Sequence, residues 1–124
     1  MVRLWVFTLL FAVLVAASSA PASANWAIAV GRGSWGAVFN ATSNYDARVL
    51  ALRQCAKAAT ACRLVARGVN GCQALAIDPN SGSWAVAKGS TADGAGRAAY
   101  AQCRTRGVGC RIMTQYCDTT QLEF

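Results

Sequence analysis

The chain states one cysteine motif twice. Cys55, six residues, Cys62, Arg63, Leu64 returns as Cys103, six residues, Cys110, Arg111, Ile112. Upstream, Ala27-Ile28-Ala29-Val30 matches Ala74-Leu75-Ala76-Ile77, and Ser34-Trp35 matches Ser83-Trp84. A period of about 48 residues makes this two copies of one small unit, about 25–71 and 72–117. Such a unit cannot close a core by itself, so the two copies must fold as a single domain.

The first 24 residues stand outside that repeat. Arg3 precedes an apolar run, Leu4 to Ala17, broken only by Thr8, and the segment ends Ala22-Ser23-Ala24. This is the layout of a secretory signal peptide, with cleavage before Asn25. As a helix the run spans about 21 Å, short of a hydrocarbon core of about 30 Å, which argues against a membrane anchor. The expected location is therefore secreted, either extracellular or periplasmic. There all six cysteines meet an oxidising compartment. The duplication suggests the pairing: Cys55–Cys62 and Cys103–Cys110 as equivalent local staples, with Cys72–Cys117 joining the two units. Zinc and thioredoxin-like redox chemistry are disfavoured, since the chain has no Cys-x-x-Cys and no histidine.

Within the first unit, Trp26–Val30 and Trp35–Phe39 read as strands of a hairpin around Gly31-Arg32-Gly33-Ser34. Ser43-x-x-Asp46 has the form of a capping box, and Ala47, Leu50, Ala51, Cys55 and Ala58 then recur at helical spacing. Cys62–Val69 reads as a third strand, and Asn70-Gly71 as a tight turn. The second unit repeats the order. Its strands are Cys72–Ile77 and Trp84–Ala87, around the turn Asp78-Pro79-Asn80-Ser81-Gly82. Ser90-x-x-Asp93 is its capping box, followed by a stripe of Ala95, Ala98, Ala99, Gln102 and Cys103. Gly94 and Gly96 should make this helix the weaker one. Arg111–Cys117 is the last strand, and residues 118–124 form a polar tail. The expected fold is α+β: two tandem ββαβ units, pseudo-twofold, with two helices on a six-stranded, mostly antiparallel sheet.

The residues Trp35-Gly36-Ala37, Cys55, Cys62-Arg63, Asn70-Gly71-Cys72 and Ala74-Leu75-Ala76 resemble those of DUF4189, a domain-of-unknown-function family of small exported bacterial proteins. The resemblance spans about Trp26 to Cys117. It implies export and this architecture, and it brings no catalytic residues with it. One departure stands out: the second unit has Trp84-Ala85 where the first has Trp35-Gly36.

Chemistry has few candidates. With no histidine, the usual general base near neutral pH is missing. Of the acids, Asp46 and Asp93 read as caps and Asp78 as a turn residue, so no catalytic residue is assigned and an enzyme is not expected. Gly31-x-Gly33-x-x-Gly36 fits a dinucleotide-binding pattern, but strand-like residues follow where a helix should open, so no cofactor and no metal is expected. Asn40-Ala41-Thr42 fits the N-glycosylation pattern, and in a bacterial protein it reads as a plain loop. Trp26, Trp35 and Trp84 read as core in preference to an exposed patch.

Charge is more informative. The chain carries 12 Lys and Arg against 5 acids, a net of +7, and only Arg3 of these lies in the leader. The candidate anion-binding residues are Arg48, Arg53, Lys57, Arg63, Arg67, Arg104, Arg106 and Arg111; arginine forks match phosphate and carboxylate. Because these charges are dispersed, the plain reading is a solvated face. The functional reading is an anionic envelope component or another protein as partner. No nucleic-acid reader motif accompanies the charge. The sequence thus describes an exported, non-enzymatic binding module of unknown ligand, with a secreted enzyme inhibitor as the alternative.

Overall fold

The computed structural model describes residues 24–118. Residues 1–23 of the leader and 119–124 of the tail lie outside the described residues. The elements run β1 (Asn25–Arg32), β2 (Ser34–Ala41), α1 (Asn44–Ala56), β3 (Thr60–Val69), β4 (Gly71–Ile77), β5 (Trp84–Gly89), α2 (Ala92–Arg104) and β6 (Arg111–Asp118). This is the α+β, doubled ββαβ order that the repeat implies. The first strand of each unit is the central one: the orders are β2-β1-β3 and β5-β4-β6, antiparallel throughout.

The expected six-stranded sheet is instead two three-stranded sheets packed face to face, each with its helix on the outer side. The pattern of β1 and β4 explains why. A strand that covers only a helix would alternate apolar and polar residues; Asn25–Val30 and Cys72–Ala76 are buried without a break, so both faces are covered. On the outer faces alanine and cystine dominate: Ala27, Ala29, Ala47, Ala51 and Cys55 in one layer, Ala74, Ala76, Ala95, Ala99 and Cys103 in the other. Small side chains let each helix lie close to its sheet. The large ones fill the space between sheets, where Trp26, Ile28, Val30 and Leu75 meet Phe39, Val86 and Met113.

The bridges are Cys55–Cys62, Cys72–Cys117 and Cys103–Cys110. The first and third tie the end of a helix to the following strand. Cys72 and Cys117 are register partners on β4 and β6, so their bridge lies inside the second unit and does not join the two units as the sequence suggests. The units are joined elsewhere. Asn70 and Gly71, both at positive φ (61° and 90°), reverse the chain from one sheet into the other. At the sheet edges, Phe39 of β2 meets Tyr116 of β6 at 4.9 Å. Asn40 donates its backbone N–H to Asp118 Oδ1 (2.8 Å) and its side-chain N–H to the Tyr116 hydroxyl (3.0 Å). Asp118, read as the start of the tail, is the buried last residue of β6.

The helix ends show further differences. Ser43 caps α1, accepting the N–H of Asp46. The second cap is Thr91, one residue beyond Ser90, accepting the N–H of Gly94; Asp93 instead takes a hydrogen bond from Gln115 (2.8 Å). Leu50 and Gln102, assigned to buried stripes, face outward. Gly96 is buried in place of Gln102, and a Cβ there would run into the Gln115 amide, so this glycine is where α2 and β6 approach closely. Gly36 does the same for the first unit: a Cβ would meet the Ala51 carbonyl of α1 and, at 2.8 Å, the Cys55 nitrogen. Ala85 stands at the matching place in the second unit, so the two helices seat differently on their sheets. Among the described residues no helix is long and apolar enough to cross a membrane.

Candidate functional site: the cleft between the hairpin ends

The face-to-face packing leaves one end of the sandwich open. Register places equivalent rows there on the two inner faces, because paired residues of neighbouring strands share a face. Val30 of β1 pairs with Trp35 of β2 and Arg63 of β3. Ile77 of β4 pairs with Trp84 of β5 and Arg111 of β6. Between the rows lies a cleft of about 630 Å³. Val30, Trp35, Ile77, Trp84 and Met113 give it an apolar lining; Gly31–Ser34 and Ala61 form one rim, and Asp78, Pro79 and Gly82 the other. Both tryptophans are half-buried, packed against the core on one side and open to the cleft on the other. Trp26 is fully inside the sandwich, its ring N–H donating to the Asn70 carbonyl (3.2 Å).

The polar groups of the cleft are unequal. Arg32 and Arg63 line it from the first unit, and both are exposed. Asp78 lines it from the second, but its carboxylate turns into its own loop. Asp78 Oδ1 accepts the N–H of Asn80 (2.9 Å), and Oδ2 that of Gly109 (3.2 Å). These backbone donors, Asn80 first and Gly109 next, hold its pKa below the usual carboxylate range. Asp78 thus pins the β4–β5 loop to the α2–β6 loop and presents no free base to the cleft. Ala61, on the opposite rim, holds a φ of 57°, unusual for a residue with a Cβ.

Of the eight candidate anion-binding residues, the structure brings only Arg63 to this cleft. Arg48 and Arg67 flank a smaller cavity of about 250 Å³ over Leu64, Val65 and Ala66; the Arg48 Nε is out of water and has no hydrogen-bond partner among the described residues. Arg53 and Arg104 sit in the last turns of α1 and α2, and Lys57 caps α1. Cations are favoured at these helix C-termini by the backbone dipole. Arg104 also lies over the Tyr100 ring, 5.6 Å from its centre. Arg106 follows α2, and its carbonyl accepts the Ser83 hydroxyl (3.1 Å). Arg111, despite its equivalent register, is not part of the cleft lining.

Arg32 reads in the sequence as a turn residue and is not among the candidate anion-binding residues. Its neighbour two positions on, Ser34-Trp35, was the available signal, since the duplicated Ser-Trp marks the start of a hairpin return strand in both units. The Gly31-x-Gly33-x-x-Gly36 pattern falls on this same hairpin, with Gly33 in the turn and Gly36 against α1. Among the described residues no three His, Cys, Asp or Glu side chains gather as a metal-ligand set.

No curated protein and no solved structure matches the chain. A family model does match, over residues 25–117, described as Domain of unknown function (DUF4189). That match takes in both units, both hairpins and all three disulfides, and the chain is a member of the DUF4189 family.

Proposed function

We propose that the chain is an exported, disulfide-held binding module that carries out no chemistry of its own, and that its ligand sits in the cleft between the two hairpin ends. The observation that carries this reading is the make-up of the cleft. At about 630 Å³ it falls within the range of small-molecule sites, roughly 300–1,000 Å³. Its lining is apolar and aromatic, with a few polar groups at the rim. A general base is not on offer: the chain has no histidine, and the Asp78 carboxylate is occupied by backbone donors. Three disulfides suit an oxidising compartment and hold the two walls rigid, which lowers the ordering cost of binding. Native mass spectrometry of the protein purified from its own source tests this. A small-molecule adduct is expected, and Trp84→Ala should lose it; an adduct that survives Trp84→Ala would place the ligand elsewhere.

A second reading, a secreted enzyme inhibitor, draws on the loop Asp78–Ser83. Its Pro79, Asn80, Ser81 and Gly82 are exposed. The loop is braced from within: Asp78 N–H donates to the Ser83 carbonyl and Gly82 N–H to the Asp78 carbonyl, both at 2.8 Å. A rigid exposed loop is what an inhibitor inserts. Titration against a panel of secreted hydrolases tests it, with Asn80→Ala as the variant that should lose any inhibition found.

A further inference from the structure

The cleft has a charge direction as well as an apolar lining. Taking the cleft as the ligand seat, the geometry points to an amphipathic organic anion of the fatty-carboxylate class, its apolar body between Trp35 and Trp84 and its anionic end at Arg32 and Arg63. Arg63 shares the inner-face row of Val30 and Trp35, so its stem leaves the apolar lining directly and its guanidinium reaches the rim. Arg32 is the last residue of β1, next to the Gly33 turn of the same hairpin. Among the described residues Asp78 is the one carboxylate on the facing wall, and both its oxygens accept N–H groups of its own loop and of Gly109, which makes it a weak counter-charge. Arg32 and Arg63 are both exposed where they line the cleft, so their guanidinium groups can reach a ligand seated in it. The pseudo-symmetry is broken at this point, since Arg111, the register equivalent of Arg63, does not line the cleft. One wall is cationic and the facing wall is not, so a ligand with one charged end has a single favoured orientation.

The test compares three twelve-carbon amphiphiles below their micelle concentrations: dodecanoate, dodecyltrimethylammonium and a neutral dodecyl glucoside. Binding is measured by calorimetry and by the ring N–H resonances of Trp35 and Trp84. Attraction of the carboxylate and repulsion of the ammonium group by two exposed arginines should together favour dodecanoate over the cation about tenfold. Arg32→Gln with Arg63→Gln should cut dodecanoate affinity about tenfold and leave the glucoside within about twofold. Arg53→Gln with Lys57→Gln removes the same charge from the end of α1 and should change neither. If the glucoside moves both indole resonances and dodecanoate gains nothing over it, the ligand class is wrong and the cleft remains the seat. If the α1 pair weakens dodecanoate as much as the cleft pair does, the preference is general charge and the proposal fails. If none of the three perturbs either indole, the proposal and the cleft reading fall together.

Discussion

Leu75→Ala separates face-to-face packing from a single extended sheet. Leu75 lies on the inner face of β4 and is fully buried, alongside Ile28 of β1. These are the two largest apolar side chains with no exposure in the described residues, because alanine fills both outer layers. Replacing the isobutyl group by a methyl removes three carbons and forfeits about 2–2.5 kcal/mol of transfer free energy at about 0.8 kcal/mol per methylene. Two facing sheets, each stiffened by its own disulfides, cannot close fully over the gap, so a cavity term is added and the total should be about 3–4 kcal/mol. Domains of this size are stable by about 5–15 kcal/mol in all, so the variant should unfold at much lower denaturant. The assay is equilibrium unfolding in guanidinium with disulfides intact, followed by far-UV circular dichroism, and the slope should be unchanged. Leu50→Ala is the control. Leu50 is 42% exposed on α1 and should cost under about 1 kcal/mol. If the two substitutions cost the same, Leu75 is not sandwiched between sheets and the reasoning is wrong.

Other outcomes follow from single groups. Burial pushes the Asp118 carboxyl up, outweighing the N–H it receives from Asn40, and among the described residues its Oδ2 has no partner. The folded protein therefore holds this proton more tightly than the unfolded chain does. This contribution is full below the unfolded value near 3.8 and is lost as pH rises through the folded pKa. Asp118→Asn should flatten that part of a melting-temperature-against-pH profile and be the more stable form above it. Gly36→Ala drives a Cβ into the backbone of α1 and should cost about 1–3 kcal/mol by thermal unfolding. Ala61→Gly relieves the positive φ at the cleft rim and, after the greater freedom glycine gains in the unfolded chain, should stabilise by up to about 1 kcal/mol in the same assay.

Much of the fold was legible because the doubled motif fixes element order. The helix-to-strand step falls at Cys55–Cys62 and again at Cys103–Cys110, and turn residues mark both hairpins. How the sheets meet was not legible. A joined sheet with its helices on one face would leave the other face of β1 and β4 open, but apolar runs as short as Trp26–Val30 and Cys72–Ile77 do not by themselves show that both faces are covered. The second cap slipped because Ser90 and Thr91 are both good caps, and the close contact of Gly96 with Gln115 decides the helix start through tertiary packing. Asp118 was read as tail because a lone acid at a chain end looks solvated; its burial depends on Asn40, 78 residues away in sequence. The cleft was hidden for a related reason. Trp35 and Trp84 are far apart in the chain, and the tryptophan row gains an arginine only through β1–β3 pairing. Net charge pointed to eight cations, several of which serve helix ends.

The most direct test of the account is where small molecules touch the protein. A fragment library screened by ¹⁵N-edited NMR on the disulfide-intact chain reads this residue by residue. The account predicts that hits converge on Val30–Trp35, Arg63, Ile77–Trp84 and Met113, with the Trp26 ring N–H unmoved. Hits that gather instead on the α1–β3 edge around Arg48 and Arg67, or that scatter over the surface, would contradict it.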